Sequence, residues 1–286
     1  MKDLLRVLRG TGELYMEKKI PRSAAALSYS LTMSIFPLII CLYALLGNSY
    51  EKMIQALSFV EQFFSADTSK SIRSFLGYVG RDRSMAMTIA GAMLLLTSAS
   101  AAVRSLQTTI GELQGGRRYR GVWDFLFSIV FSIAFLAAMY FAILVMLTGK
   151  AFLEFVDSTL PFLDISSSWE QIRFLLLGGI EFVILWAVYR VSVVRGRTYR
   201  TFPGAIAATI GIVVMSWVFS TFIAASARYP LVYGSLASLI LLMFWLFLCC
   251  QIIYLGAALN VAIRDLGSQK SGEPESGSVG PKEDTR

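Results

Sequence analysis

Residues 203–225 read PGAIAATIGIVVMSWVFSTFIAA, without one charged side chain along the whole stretch. A bilayer core about 30 Å thick asks for about 20 apolar residues in one helix, and this stretch alone meets that length. Hydrocarbon offers no water to backbone amides, so such a segment must satisfy them internally, as a helix. Five more segments of the same character flank it: Ala24–Leu46, Met85–Val103, Phe125–Thr148, Ile172–Val194 and Leu231–Ile263. The last exceeds a single crossing and is expected to tilt, to break near Gly234 or to project from the bilayer. Composition agrees, with 56% hydrophobic and 16% charged residues and a mean hydropathy of +0.62. Soluble domains carry about 25% charged residues, so a soluble globular enzyme is excluded. The expected fold is all-α, a polytopic membrane protein with six transmembrane helices.

Basic residues set the expected orientation. Lys2, Arg6, Arg9, Lys18, Lys19 and Arg22 precede the first span. Arg104, Arg117, Arg118 and Arg120 lie between the second and third. Arg190, Arg195, Arg197 and Arg200 lie between the fourth and fifth, and Arg264, Lys270, Lys282 and Arg286 follow the sixth. Together they are 18 of the 26 basic residues. The positive-inside rule then places both termini in the cytoplasm. Three regions result: a basic amphipathic segment at 1–23, a six-helix membrane domain at 24–263, and a disordered tail at 264–286.

Residues 1–20 lack the uninterrupted apolar core of a cleavable signal peptide. Leu4, Leu5, Val7 and Leu8 alternate with Lys2, Arg6 and Arg9 as in a short helix suited to an anionic inner leaflet. The outer connection Gly47–Ser84 repeats apolar residues at helical spacing, Met53 through Phe64 and Ile72 through Val79, which predicts two short amphipathic helices. From Gly267 onward Ser, Gly, Pro, Glu and Lys dominate without apolar periodicity, the composition of a disordered segment.

The chain contains no histidine, which removes Ser-His-Asp hydrolysis, Cys-His proteolysis and most catalytic zinc sites. Cys41, Cys249 and Cys250 sit in apolar runs and form neither a metal-ligand spacing nor a disulfide framework. No Gly-rich phosphate loop is present, and Gly111 and Gly115 lie beyond any span. No catalytic residue, metal or cofactor is expected. The pI of about 9.4 follows from the inner-face arginines and does not point to nucleic acid.

Glu181 is the sharpest single feature, set in the middle of the fourth span between Gly178-Gly179-Ile180 and Phe182-Val183-Ile184. A carboxylate at that depth costs about 2.5–3.5 kcal/mol on insertion scales, so it should face the bundle interior or water. It reads equally as a proton or cation site and as a structural hydrogen-bonding group. The first span is polar in its inner half, with Tyr29, Ser30, Thr32 and Ser34 followed by Pro37. Pro37 frees the carbonyl one turn earlier, near Met33. These residues suit either a substrate path or close helix packing. Gln251 and Asn260 are polar positions in the sixth span, and Gln251 joins the candidate path. Arg104, Arg190, Arg195, Arg197 and Arg200 are candidate contacts for anionic headgroups. Gly204 with Ala208 and Ala207 with Gly211 have small-xxx-small spacing, compatible with packing inside a monomer or between copies.

Further residues bring a family into view. The string Ala24-Ala25-Ala26-Leu27-Ser28-Tyr29-Ser30-Leu31-Thr32 continues through Ser34-Ile35-Phe36-Pro37-Leu38. Tyr189-Arg190, Pro203-Gly204-Ala205, Trp217 and Phe219-Ser220 follow it. Tyr233-Gly234-Ser235-Leu236, Trp245 and Leu255-Gly256-Ala257-Ala258-Leu259-Asn260 come last. In order and spacing over residues 20–263 this resembles the YihY/BrkB family. The family's last motif commonly reads Leu-Gly-Ala-Glu-Leu-Asn, and here Ala258 stands in place of the acid. Glu181 lies outside the family motifs. The resemblance implies a bacterial inner-membrane protein with six spans, in a family linked to serum resistance, solute export and lipid or envelope-precursor transport. Some members carry the label ribonuclease BN; such nucleases use a His-rich metal centre, which a chain without histidine does not supply.

The expected function is therefore membrane transport, of a lipid, an amphipathic anion or a small solute. The alternative is a non-transporting scaffold that recruits envelope-related partners through its charged loops. Expected partners are membrane lipids and the transported molecule.

Overall fold

A computed structural model describes residues 2–45, 85–116, 169–193, 200–225 and 236–271. Scattered helical residues between 126 and 145 and the single positions Arg73 and Leu153 complete it. The expected helices of Gly47–Ser84, the break near Gly234, and Arg195 and Arg197 lie outside the described residues. Six helices are delimited: α1 (Lys2–Glu17), α2 (Ile20–Leu45), α3 (Met85–Leu113), α4 (Trp169–Val191), α5 (Phe202–Ala225) and α6 (Leu236–Ser271). Among the described residues, four stretches are long and apolar enough to cross a membrane: Ile89–Leu113, Phe174–Val191, Phe202–Phe222 and Leu239–Ser268. No strand occurs among the described residues.

The helix ends follow local chemistry. Asp3 in the first turn of α1 complements the helix dipole. After Glu17 the chain turns at Lys18–Lys19, where Lys18 N–H donates to Leu14 O and Lys19 takes a left-handed φ of 50°. Ile20 then opens α2 fully buried, four residues before the expected boundary at Ala24. The apolar Ile20 belongs to the core, and the preceding lysines do not.

The second span differs from expectation at its far end. It was placed at Met85–Val103, but α3 continues to Leu113. Thr97, Ser98 and Ser100 lower the local hydropathy, yet Ala102, Leu106, Ile110 and Leu113 continue a stripe at helical spacing that lies in or against the core. Arg104 is thus a half-buried helical residue rather than part of a loop. The helix stops where Gly115 adopts a φ of 76°. Gly115 N–H then donates to Glu112 O and Gly116 N–H to Gly111 O, the bond pair of a glycine-terminated helix. Gly111 and Gly115 form a helix cap.

The helix α6 passes the expected tail boundary at residue 264 and ends at Ser271. Its 36 residues reach about 54 Å, well beyond the about 30 Å of a bilayer core. Its second half packs against α1: a Cβ on Gly10 would lie 3.6 Å from the Ala262 Cβ. Tyr15 donates its hydroxyl to Gln251 Oε1 at 2.5 Å. Since the lower-numbered residue of α1 meets the higher-numbered residue of α6, the two helices run in opposite senses. Removing this hydroxyl in Tyr15→Phe keeps the ring and costs about 1 kcal/mol. Limited proteolysis of the protein in detergent should cut the α1–α2 joint faster; an unchanged rate would show that the bond does not hold α1 in place.

The bundle centres on α6, which packs against α1, α2, α3 and α5, while α2 also packs on α3 and α4 on α5. Burial concentrates at one end. It involves the start of α2 (Ile20, Ala24, Leu27), the ends of α3 and α4 (Ile110, Leu113, Tyr189), the start of α5 (Ala205, Ala208) and the second half of α6 (Tyr254, Ala257, Val261). Towards the other end Met93, Phe174, Leu175 and Trp217 are exposed, as suits side chains solvated by hydrocarbon.

Candidate functional site: a polar seam and a lone carboxylate

At the packed end α5 and α6 meet backbone to backbone. A Cβ on Gly256 would lie 2.6 Å from the Tyr189 hydroxyl, 2.7 Å from Gly204 O and 2.9 Å from the Ala208 Cβ. A Cβ on Gly204 would collide with Gly256 O and the Asn260 amide, so both positions require glycine. Further along, a Cβ on Gly211 would meet Ile252, Trp245 Nε1 donates to Ser216 Oγ at 3.4 Å, and the rings of Phe219 and Phe244 lie 6.3 Å apart. Each step along α5 is matched by a step back along α6, the register of an antiparallel pair.

Close approach brings polar groups into contact. Asn260 Oδ1 accepts from Gly204 N–H at 2.7 Å and its Nδ2 donates to Thr201 O at 3.0 Å. Asn260 therefore caps the start of α5 from another helix, satisfying one of the donors that every helix N-terminus leaves open. Pro203 sits in that first turn, where its missing amide is not needed. Tyr189 at the end of α4 donates to Ile253 O at 2.5 Å. Gln114, just beyond α3, donates from Nε2 to Ser192 O at 3.1 Å. Neutral amides, hydroxyls and carbonyls from four helices thus join one end of the bundle. The seam can hold helices in register, but it holds no nucleophile paired with a base. Among the described residues no group of three His, Cys, Asp or Glu side chains could hold a metal.

Sequence reading singled out Asn260 as a polar position and Gly204 and Ala208 as small ones, without joining them. It missed Gln114 altogether; the signal was a polar residue directly after the apolar stripe ending at Leu113, ahead of two glycines.

The candidate path residues fall in two groups. On α2, Ser30 Oγ donates to Ala26 O at 3.1 Å, Thr32 Oγ1 to Ser28 O at 2.8 Å and Ser34 Oγ to Leu31 O at 2.6 Å. Each hydroxyl returns to its own helix. Pro37 is buried and Tyr29 exposed. Gln251 is engaged by Tyr15. Glu181 stands apart, half-buried in the middle of α4. Among the described residues it makes neither a hydrogen bond nor an ion pair. One turn earlier, a Cβ on Gly178 would meet nothing within 4 Å, so the helix is notched beside the carboxylate. Of the candidate headgroup contacts, Arg190 and Arg200 are exposed and Arg104 is half-buried. Ala258, where the resembled family carries an acid, is fully buried.

Comparison with known proteins places this architecture. The family described as Virulence factor BrkB matches residues 12–279, which takes in the Tyr15–Gln251 bond, the seam and Glu181. A Bacillus subtilis protein named ribonuclease-like protein YfkH is 26% identical over 249 residues, covering 84% of this chain and 88% of that protein. A UPF0761 membrane protein of Aromatoleum aromaticum is 26% identical over 271 residues, covering 92% of this chain. Another, of Xanthomonas axonopodis pv. citri, is 26% identical over 254 residues, covering 86%. The chain spans only 64% and 58% of the length of these two. No solved structure matches. With a family match across nearly the whole length and relatives named as membrane proteins, this chain is a membrane protein with several apolar helices and belongs to the BrkB family.

Proposed function

We propose that the chain is a transporter of the bacterial inner membrane that moves a lipid, an amphipathic anion or a small solute, without enzymatic activity. The observation that carries this reading is Glu181, a carboxylate in the middle of α4 with no hydrogen bond or ion pair among the described residues. A structural carboxylate in a span repays its insertion cost through partners. One without partners among the described residues, beside a notch at Gly178, suits a proton or a cation that comes and goes. The reading includes six crossings with both termini in the cytoplasm, a topology that would gather 18 of the 26 basic residues on the inner side. The packed seam then lies at the inner face, and Arg104, Arg190, Arg195, Arg197 and Arg200 receive the anionic headgroup there. The name of YfkH concerns that protein; a chain without histidine lacks the usual ligands of a nuclease metal centre.

The test is movement of a fluorescent anionic lipid across liposomes containing the purified protein, compared with empty liposomes. Glu181→Gln keeps the size of the side chain and removes its titration, so it is expected to abolish the pH dependence and cut the rate about tenfold or more. Transport by Glu181→Gln equal to wild type at every pH would remove Glu181 from the mechanism. If only liposomes with protein carry a small anion and none moves lipid, the cargo is a solute. Absence of any movement favours the scaffold.

A further inference from the structure

The helix α1 has three faces, and α6 uses only one. Gly10, Thr11, Leu14 and Tyr15 turn towards α6 and the core. Leu5, Leu8 and Met16 occupy a second face at helical spacing, 62%, 56% and 74% exposed. Gly12 lies on that same stripe, and a Cβ there would meet nothing within 4 Å. The third face carries Arg6, Arg9 and Glu13. Arg9 pairs with Glu13 at 2.9 Å, but both side chains are largely exposed, and such a pair is weak enough to open for a stronger partner. Lys19 and Arg22, both exposed, extend the basic edge past the joint with α2.

We propose that the stripe Leu5–Leu8–Met16 is a docking surface for the anionic phospholipid surface of the bilayer the chain itself crosses. Three observations select this occupant. A helix with an apolar stripe beside arginines has the make-up of one lying at a membrane interface. The stripe is tethered close to the membrane, since only Lys18 and Lys19 separate α1 from α2 and Tyr15 ties it to the apolar helix α6. Finally, Arg6, Arg9, Lys19 and Arg22 meet opposite charge on anionic lipid, whereas a second copy docking there would oppose arginine to arginine.

The experiment uses the full chain with Cys41, Cys249 and Cys250 replaced by alanine and an environment-sensitive fluorophore on Leu5→Cys, Leu8→Cys or, as the control on the charged side, Glu17→Cys. Each is reconstituted in vesicles of phosphatidylcholine alone or mixed with phosphatidylglycerol. Blue-shifted emission is expected at residues 5 and 8 but not at 17, stronger with phosphatidylglycerol. The double variant Arg6→Gln/Arg9→Gln should reduce the docked fraction, by about fivefold in its equilibrium for each charge removed. Raising salt should act in the same direction. Water-like emission at residues 5 and 8 in both vesicles overturns the proposal. A blue shift that instead grows with protein concentration in lipid-free detergent also overturns it, assigning the stripe to a second copy. A small parallel loss of folding in every labelled protein would leave the difference between the two lipids intact as the readout.

Discussion

A Gly256→Leu protein is expected to lose its cooperative melting transition in detergent at temperatures where the unchanged protein is intact. The first added carbon would already lie 2.6 Å from the Tyr189 hydroxyl and 2.7 Å from the backbone oxygen of Gly204. The hydroxyl can swing only by giving up its bond to Ile253 O, and the backbone of α5 cannot swing at all. Overpacking a well-filled core costs about 1–3 kcal/mol when side chains can adjust. Here α5 and α6 must separate, so the loss should exceed about 3 kcal/mol. Gly256→Ala should fall between the two. Gly179→Ala supplies the control in a span, because its Cβ would meet nothing within 4 Å; there the better helix propensity of alanine should add a few tenths to about 1 kcal/mol. Thermal melting followed by size-exclusion fluorescence separates these outcomes. A Gly256→Leu protein as stable as Gly179→Ala would mean that the helices do not meet at this glycine.

Asn260→Ala should cost about 2 kcal/mol by the same measurement. It strips the partner from Gly204 N–H at the buried start of α5 and removes one of the two donors to Thr201 O, which keeps the Ala205 N–H at 3.3 Å. An unsatisfied buried group costs about 1–3 kcal/mol, although hydrogen bonds between spanning helices have averaged lower values because the loosened state finds other partners. Hydrogen exchange at the Gly204 amide should accelerate with the loss of stability. An amide that stays protected while stability is unchanged would show that Asn260 is not the cap. The two sites touch, since a Cβ on Gly204 would collide with both Gly256 O and the Asn260 amide. The combined variant should therefore lose less than the two single losses added.

The position of Glu181 illustrates what can be read before any fold is known. Its depth follows from counting apolar residues on either side, and the insertion cost makes it a candidate whatever the packing. That it has no hydrogen bond or ion pair among the described residues could not be counted from the sequence. Ser30, Thr32 and Ser34 show the opposite case. Their polarity suits a path or close packing, and the helix offers each hydroxyl a carbonyl one turn back, which all three take. Arg104 was misplaced for another reason. Three hydroxyl residues lowered the hydropathy before it, while the stripe that continues the helix through Leu106, Ile110 and Leu113 becomes decisive only once other helices bury it.

The sequence by itself determined that this chain is built of helices in a membrane. Length without charge permits one solution in hydrocarbon, and that rule acts on each segment separately. The joints at Lys18–Lys19 and Gly115–Gly116 rest on local backbone chemistry, yet hydropathy alone did not mark them. Only the tertiary structure decided which helices touch and how long α3 and α6 become. The bond from Tyr15 to Gln251 spans 236 positions, and the cap from Asn260 to Gly204 spans 56. Hydropathy has no direction around the helix when every neighbour is apolar, so partner choice rests on glycine notches and a few polar side chains whose meeting depends on the whole bundle.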